Sequence, residues 1–158
     1  MNILVIGSGA REHAIVRAIE RSPKDKEIFC LGSNVNPGIA ELCADLTVAN
    51  INDTHIITSY AEKREVDLAI IGPENPLAVG VADMLLDRDV RVVGPRKDLA
   101  QIETSKAFTR DLLTEYNISG CPKYKTFTSL SGVAEFLDEL GESFVVKYDG
   151  LAGGKGCL

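Results

Sequence analysis

In the first hundred residues, short β-branched runs alternate with segments of helical spacing, and each run is closed by a glycine. The runs at residues 2–6, 27–31, 67–71 and 90–93 end on Gly7, Gly32, Gly72 and Gly94, while helical patterns span 11–21, 51–64 and 78–86. Strands laid side by side in parallel need a crossover between them, usually a helix, so this alternation predicts an α/β fold with a parallel sheet and helices on both faces. Ligands in such sheets collect at the carboxyl ends of the strands, which is where these glycines fall.

The pattern changes beyond Gly94-Pro95, and residues 95–100 are the expected boundary between a domain at 1–100 and a second, smaller α+β module at 101–158. Ser105 is placed to cap a helix over 106–116, which Gly120-Cys121-Pro122 ends. A strand is predicted at 123–127. A helix opening at Ser129 or Ser131 runs to about residue 140, Gly141 closes it, and a second strand follows at 143–147.

The first candidate site is Gly7-Ser8-Gly9-Ala10-Arg11-Glu12-His13, a turn that leaves a strand and opens a helix. Free N–H groups and the helix dipole favour an anion there. The turn resembles G-x-G-x-x-G, yet Glu12 stands where the third glycine belongs, and Leu31-Gly32-Ser33-Asn34 offers no acidic residue for a ribose. Three readings follow: a dinucleotide loop lacking two of its usual features, a tight chain reversal, or a site for a small phosphate-bearing ligand. In the last, Arg11 is a fork for oxygens, and Glu12 and His13 are polar handles.

A second turn, Gly72-Pro73-Glu74-Asn75-Pro76-Leu77, also follows a strand, and its two prolines predict a stiff, non-helical frame around the Glu74 carboxylate. Lys106 begins a helix, where a cation works against the dipole, so either a phosphate partner or plain solvation accounts for it. Lys147 ends an apolar run and is expected to have a partner. Asp149, Gly150, Gly153, Gly154, Lys155 and Gly156 then form a glycine-rich loop suited to phosphate oxygens. Such a loop normally needs a strand to return the chain, so these 158 residues read as the front part of a larger nucleotide-using enzyme.

Composition narrows the classes further. The net charge of −6 comes without a basic tail or patch, which argues against nucleic acid as a partner and leaves anions to be caught locally. Cys30, Cys43, Cys121 and Cys157 form no C-x-x-C pair and read as small hydrophobes, and no zinc site is expected. The apolar run at the amino end is too short for a signal peptide or a membrane span, so a cytoplasmic protein with reduced thiols is predicted.

Five segments in this order resemble the glycinamide ribonucleotide synthetase (phosphoribosylamine-glycine ligase) family of the ATP-grasp superfamily. They are Val5-Ile6-Gly7-Ser8-Gly9-Ala10-Arg11-Glu12-His13-Ala14, Gly72-Pro73-Glu74-Asn75-Pro76-Leu77, Gly94-Pro95, Ser105-Lys106-Ala107-Phe108, and residues 146–156. The resemblance implies a Rossmann-like pre-ATP-grasp domain followed by the start of an ATP-grasp module. It also implies a cytosolic ligase of purine biosynthesis that joins glycine to 5-phospho-D-ribosylamine, using ATP and Mg2+ or Mn2+.

By the same resemblance, Gly7, Ser8, Gly9, Arg11, Glu12, His13, Gly72, Pro73, Glu74, Pro76 and Leu77 line the ribosylamine-phosphate side. Lys106, Lys147, Asp149, Gly150, Gly153, Gly154, Lys155 and Gly156 meet ATP, with Gly150 to Gly156 as a flap closing over its phosphates. Gly153 and Tyr148 stand where alanine is common in the family. Metal and glycine ligands are expected after Leu158, no catalytic residue is identifiable in this portion, and the chain alone is expected to be inactive. Two alternatives remain: a non-catalytic sugar-phosphate or nucleotide-binding module, and another ATP-grasp ligase or carboxylase. The oligomeric state is not legible.

Overall fold

The computed structural model describes residues 1–153 and 155. It divides into two compact units, Met1–Ala100 and Gln101–Leu158. In the first, β1 (Asn2–Ile6) lies at the centre, flanked by β2 (Glu27–Gly32) and β4 (Leu68–Ile71), with β3 (Asp45–Val48) and β5 (Arg91–Val93) at the edges. The order β3-β2-β1-β4-β5 is parallel throughout, with Val5 paired to Cys30 on one side and Ile70 on the other. The chain builds outward on one side of β1 through β2 and β3, then returns to β1's other side for β4 and β5. That reversal opens a crevice at the carboxyl ends of β1 and β4.

The apolar runs are continuous because both faces of the sheet are covered. Leu4, Ile6, Phe29 and Leu31 face one layer with Ile57, Ala61, Val81 and Leu85, which come from α3 (Thr54–Lys63) and α5 (Val81–Leu86). Val5, Ile28 and Cys30 face the other, against Val16 of α1 (Ala10–Glu20) and Ile39 of α2 (Pro37–Ala40). Burial pushes the Cys30 thiol up to about 12, with Cys43 and Glu12 adding to the shift, and its S–H donates to Gly7 O at 3.3 Å.

The structure departs from the sequence expectations in several elements. The helix expected over 78–86 is two short ones, α4 (Glu74–Ala78) and α5, separated at Gly80, whose φ of +90° ends the first and starts the second. The strand β3 was not expected. It is an edge strand of mixed polarity, in which Asp45 accepts from Thr47 Oγ1 (3.0 Å), the Tyr60 hydroxyl (2.6 Å) and Arg64 Nη2 (2.8 Å), while Arg64 also lies over the Phe29 and Tyr60 rings. Two further helices, α2 and α6 (Lys97–Thr104), were also unforeseen; Ala100 of α6 joins the first unit's core.

In the second unit, α7 (Lys106–Glu115) starts as expected on Ser105, whose Oγ accepts from Phe108 N at 3.1 Å. The following helix, α8 (Val133–Leu140), opens on Gly132 rather than on a serine and closes on Gly141, and its Phe136 packs on Phe127 with ring centroids 5.9 Å apart. The strands predicted at 123–127 and 143–147 do not form; Lys147 makes only an isolated bridge. A strand is held by its lateral partners, and among the described residues these segments have no ladder, which leaves Val145 65% exposed.

Leu4→Ala removes a fully buried side chain from the central strand. We expect a loss of about 2–5 kcal/mol, read by urea denaturation.

Candidate functional site

The crevice is walled by the turns after β1 and β4. Gly7 N–H donates to Leu31 O at 2.9 Å and Gly72 N–H to Ile6 O at 3.1 Å, so both turns begin as extensions of the sheet. The φ of Gly7 is +112°, and a Cβ there would lie 2.8 Å from Pro73 Cδ. Between the turns sits Glu12, only 5% exposed. Its Oε2 accepts from Gly9 N–H at 2.6 Å, the reach-back of a third-position glutamate to the residue that caps its own helix. A Cβ at Gly72 would collide with its Oε1, and one at Gly9 would lie 2.9 Å from its Oε2.

This changes the expected part of Glu12. Its carboxylate is turned inward to hold the turn, not outward as a polar handle. The close packing that a third glycine gives a dinucleotide loop is supplied here from the facing strand end, by Gly72.

Arg11 crosses the mouth. Its Nη1 donates to Gly72 O, and Nη1 and Nη2 lie 3.3 and 3.2 Å from Glu74 Oε1. With side-chain exposures of 60% and 32%, this ion pair contributes about 0–1 kcal/mol, and its effect is to orient the two groups. Glu74 is the first residue of α4, capped by Pro73, which corrects the expected non-helical frame. A proline in the first turn of a helix gives up no helical hydrogen bond, so Pro76 is accommodated. Pro76 and Leu77 are buried, and Leu77 belongs to the core, so their side chains pack the floor of the turn and do not line the crevice.

The remaining wall comes from the end of β2. Ser8 Oγ donates to Asn34 Oδ1 at 2.6 Å, and Asn36 Nδ2 donates to Ser8 O at 3.0 Å while its Oδ1 caps α2 by accepting from Gly38 N–H at 3.1 Å. His13 packs on the same helix start, where a Cβ at Gly38 would be 2.6 Å from its Nε2. Neither asparagine was singled out from the sequence. The signal was Asn36-Pro37-Gly38, a capping side chain followed by a proline at the first helical position.

In the second unit, Asp149 reaches the start of α7. It accepts from Lys106 N–H (2.6 Å), Ala107 N–H (3.3 Å) and Ser105 Oγ (3.0 Å), and Lys106 Nζ donates to Gly150 O at 2.7 Å. The cation at a helix start is thus explained by the carboxylate lodged beside it. Desolvation pushes the Asp149 carboxyl up, but the N–H groups of Lys106 and Ala107, the Ser105 hydroxyl and Gly150 N–H outweigh it and hold the carboxyl below its ordinary 3.8. The Lys147 and Lys155 side chains are exposed, Gly150 and Gly153 have φ of +118° and +54°, and Gly154 and Gly156 lie outside the described residues. The lysines at 106 and 147 are therefore not equivalent: the first is tied down, the second faces solvent.

Among the described residues no group of three or more His, Cys, Asp and Glu could hold a metal ion, and no helix is long and apolar enough to cross a membrane.

Gly72→Ala is expected to cost about 1–3 kcal/mol by overpacking. In a Glu12→Ala background that cost should shrink, with a coupling of about 0.5–3 kcal/mol across the cycle in urea denaturation. Equal costs in the two backgrounds would refute the contact. A carboxyl lowered by folding contributes stability that is present above the unfolded pKa of about 3.9 and is lost as pH falls through the lower folded value. Hydrogen exchange at Lys106 and Ala107 N–H should therefore stay slow down to about pH 4 and quicken below it, whereas Asp149→Asn should abolish that dependence.

Comparison with known proteins gives these sites a family. Residues 1–103 match the family model described as phosphoribosylglycinamide synthetase, N domain, and residues 104–158 match its ATP-grasp (A) domain. The phosphoribosylamine–glycine ligase of Methanococcoides burtonii is 44% identical over 99% of this chain, and that of Methanococcus vannielii 47% over 99%. In both cases the chain spans 36% of the relative's length.

Among solved structures, N5-carboxyaminoimidazole ribonucleotide synthetase from Thermotoga maritima superposes with a TM-score of 0.73 at 17% identity, covering 99% of this chain and 40% of that one. Phosphoribosylglycinamide synthetase from Anaerococcus prevotii gives 0.68 at 13% identity over 93% of this chain and 36% of its own. At those identities the structures bear on the fold, and they share it. By its sequence, matched along its whole length, the chain belongs to the phosphoribosylglycinamide synthetase family.

Proposed function

We propose that the protein to which this chain belongs is an ATP-dependent carbon–nitrogen ligase of purine biosynthesis, acting in the cytoplasm. It joins glycine to 5-phospho-D-ribosylamine and yields glycinamide ribonucleotide, ADP and phosphate. The observation that carries this reading is the agreement of relatives at 41–47% identity over 99% of the chain, all bearing the same ligase name. Because the chain spans about a third of their length, the complete reaction is proposed for a protein of that full length.

In the proposed chemistry ATP phosphorylates the glycine carboxylate, and the ribosylamine nitrogen then attacks the acyl carbon and expels phosphate. A bare carboxylate at neutral pH has no comparable leaving group. The protein's share is positioning and charge neutralisation. We assign residues 1–100 to the phosphosugar, with the crevice between Gly7, Ser8, Gly9, Arg11, Gly72 and Glu74 as its receiving surface. Residues 101–158 open the ATP-grasp domain, where Lys106 and Lys147 meet ATP phosphates. Asp149 holds the start of the glycine-rich segment that begins at Gly150, to which we assign the exclusion of water from the acyl phosphate. A divalent cation, Mg2+ or Mn2+, neutralises phosphate charge when bound; its ligands are assigned outside the described residues.

Calorimetric titration of the 158-residue chain should show glycinamide ribonucleotide binding without tight ATP binding, and no ADP release that depends on both glycine and the ribosylamine. Tight ATP binding with no ribonucleotide binding would reverse the assignment of the two ends.

A further inference from the structure

The start of a helix that follows the first strand is where a fold of this topology ordinarily takes a phosphate, on unpaired N–H groups at the positive end of the dipole. Here one of those N–H groups is already taken. The Gly9 N–H donates to Glu12 Oε2 at 2.6 Å, and the carboxylate providing that oxygen is 5% exposed and cannot swing into solvent without opening the turn. Gly7, Gly9 and Gly72 close on it so tightly that none has room for a Cβ. The cation next to it in sequence, Arg11, turns away to Gly72 O and Glu74. The negative charge of Glu12 is felt on the far side of the turn, where it adds to the upward shift of Cys30. A phosphate approaching Gly9 would find the donor spent and a carboxylate behind it.

We propose that Glu12 is a specificity residue that closes the α1 N-terminus to phosphate and pyrophosphate groups. By charge and volume the carboxylate denies the close backbone approach to a pyrophosphate that the second glycine of a dinucleotide loop permits, here at Gly9. This rests on the reading that the first unit receives an aminosugar phosphate, and it deepens that reading. The sugar and amine end meets the turn at residues 7–9, and the phosphate lies away from the α1 N-terminus.

The test is a 15N–1H titration of the 158-residue chain with pyrophosphate, NAD+ and ribose 5-phosphate, following the amides of Gly9, Ala10 and Arg11. In the wild type, pyrophosphate and NAD+ should leave these amides unmoved. In Glu12→Ala, pyrophosphate should move them and bind at least tenfold more tightly. If that variant does not fold, the isosteric Glu12→Gln, which drops the charge and keeps the volume, should show the same gain at smaller amplitude. Movement of these amides by pyrophosphate in the wild type overturns the proposal, and so does failure of both variants to gain it. Ribose 5-phosphate separates the two readings. Shifts at Gly9, Gly72 or Asn34 with Ala10 and Arg11 unmoved support both, whereas no shift anywhere in the first unit sinks the sugar-phosphate assignment and leaves the pyrophosphate arm to decide on Glu12.

Discussion

One hydrogen bond, from Gly9 N–H to the buried carboxylate of Glu12, organises the crevice of the first unit. An ionisable group taken out of water is costly unless its bonding capacity is met locally, and here the backbone of its own helix start meets it. Once that carboxylate is in place, Gly7 and Gly72 cannot be anything larger, the β1 and β4 turns are held at contact distance, and Arg11 is left on the outside to bridge to Glu74. The turn also fixes Ser8, which completes the third wall through Asn34 and Asn36. Three strand ends are thus set relative to one another by side chains within a few residues of their glycines.

How much of this could be read from the sequence depended on where the determining contact lies. The strands β1, β2 and β4 were legible because central parallel strands are apolar on both faces, the edge strand β5 because its β-branched run closes on Gly94-Pro95, and the starts of α1 and α7 because capping is local. The edge strand β3 was missed because its stability comes from Asp45, Tyr60 and Arg64, residues 15 and 19 positions apart that meet only in the fold. The helix α4 was read as a stiff turn because proline is a breaker in the interior of a helix, and nothing local says that residues 73 and 76 are its cap and first turn. The segments 123–127 and 143–147 carry strand-like composition, yet composition does not supply a partner.

The same distinction applies to the candidate sites. The glycines were found because a strand end followed by glycine has few other uses. Whether a polar residue between them faces ligand or core is set by what arrives from elsewhere in the chain. For Glu12 the deciding neighbour is Gly72, and for Pro76 and Leu77 it is the core beneath α4. Read alone, residues 7–13 look like an anion loop with one substitution. Set beside Gly72, that substitution gives the loop a different electrostatic character.

The two helices that open at candidate turns, α1 and α7, each receive a carboxylate of this chain at their amino ends, but by routes that differ in consequence. Glu12 is three residues from the N–H it binds, so the contact is part of the helix's own first turn and persists unless that turn unwinds. Asp149 is 43 residues from Lys106 and sits at the root of the glycine-rich loop, so its contact is made by a segment whose glycines leave the backbone many conformations. A local carboxylate of the first kind fixes the charge of a helix start permanently. One of the second kind ties that charge to the position of a loop, because residues 149–150 hold the N–H groups of Lys106 and Ala107 together with the Lys106 ammonium. Sequence separation, more than the chemistry of the carboxylate, decides which helix start can change its ligand preference within a single fold.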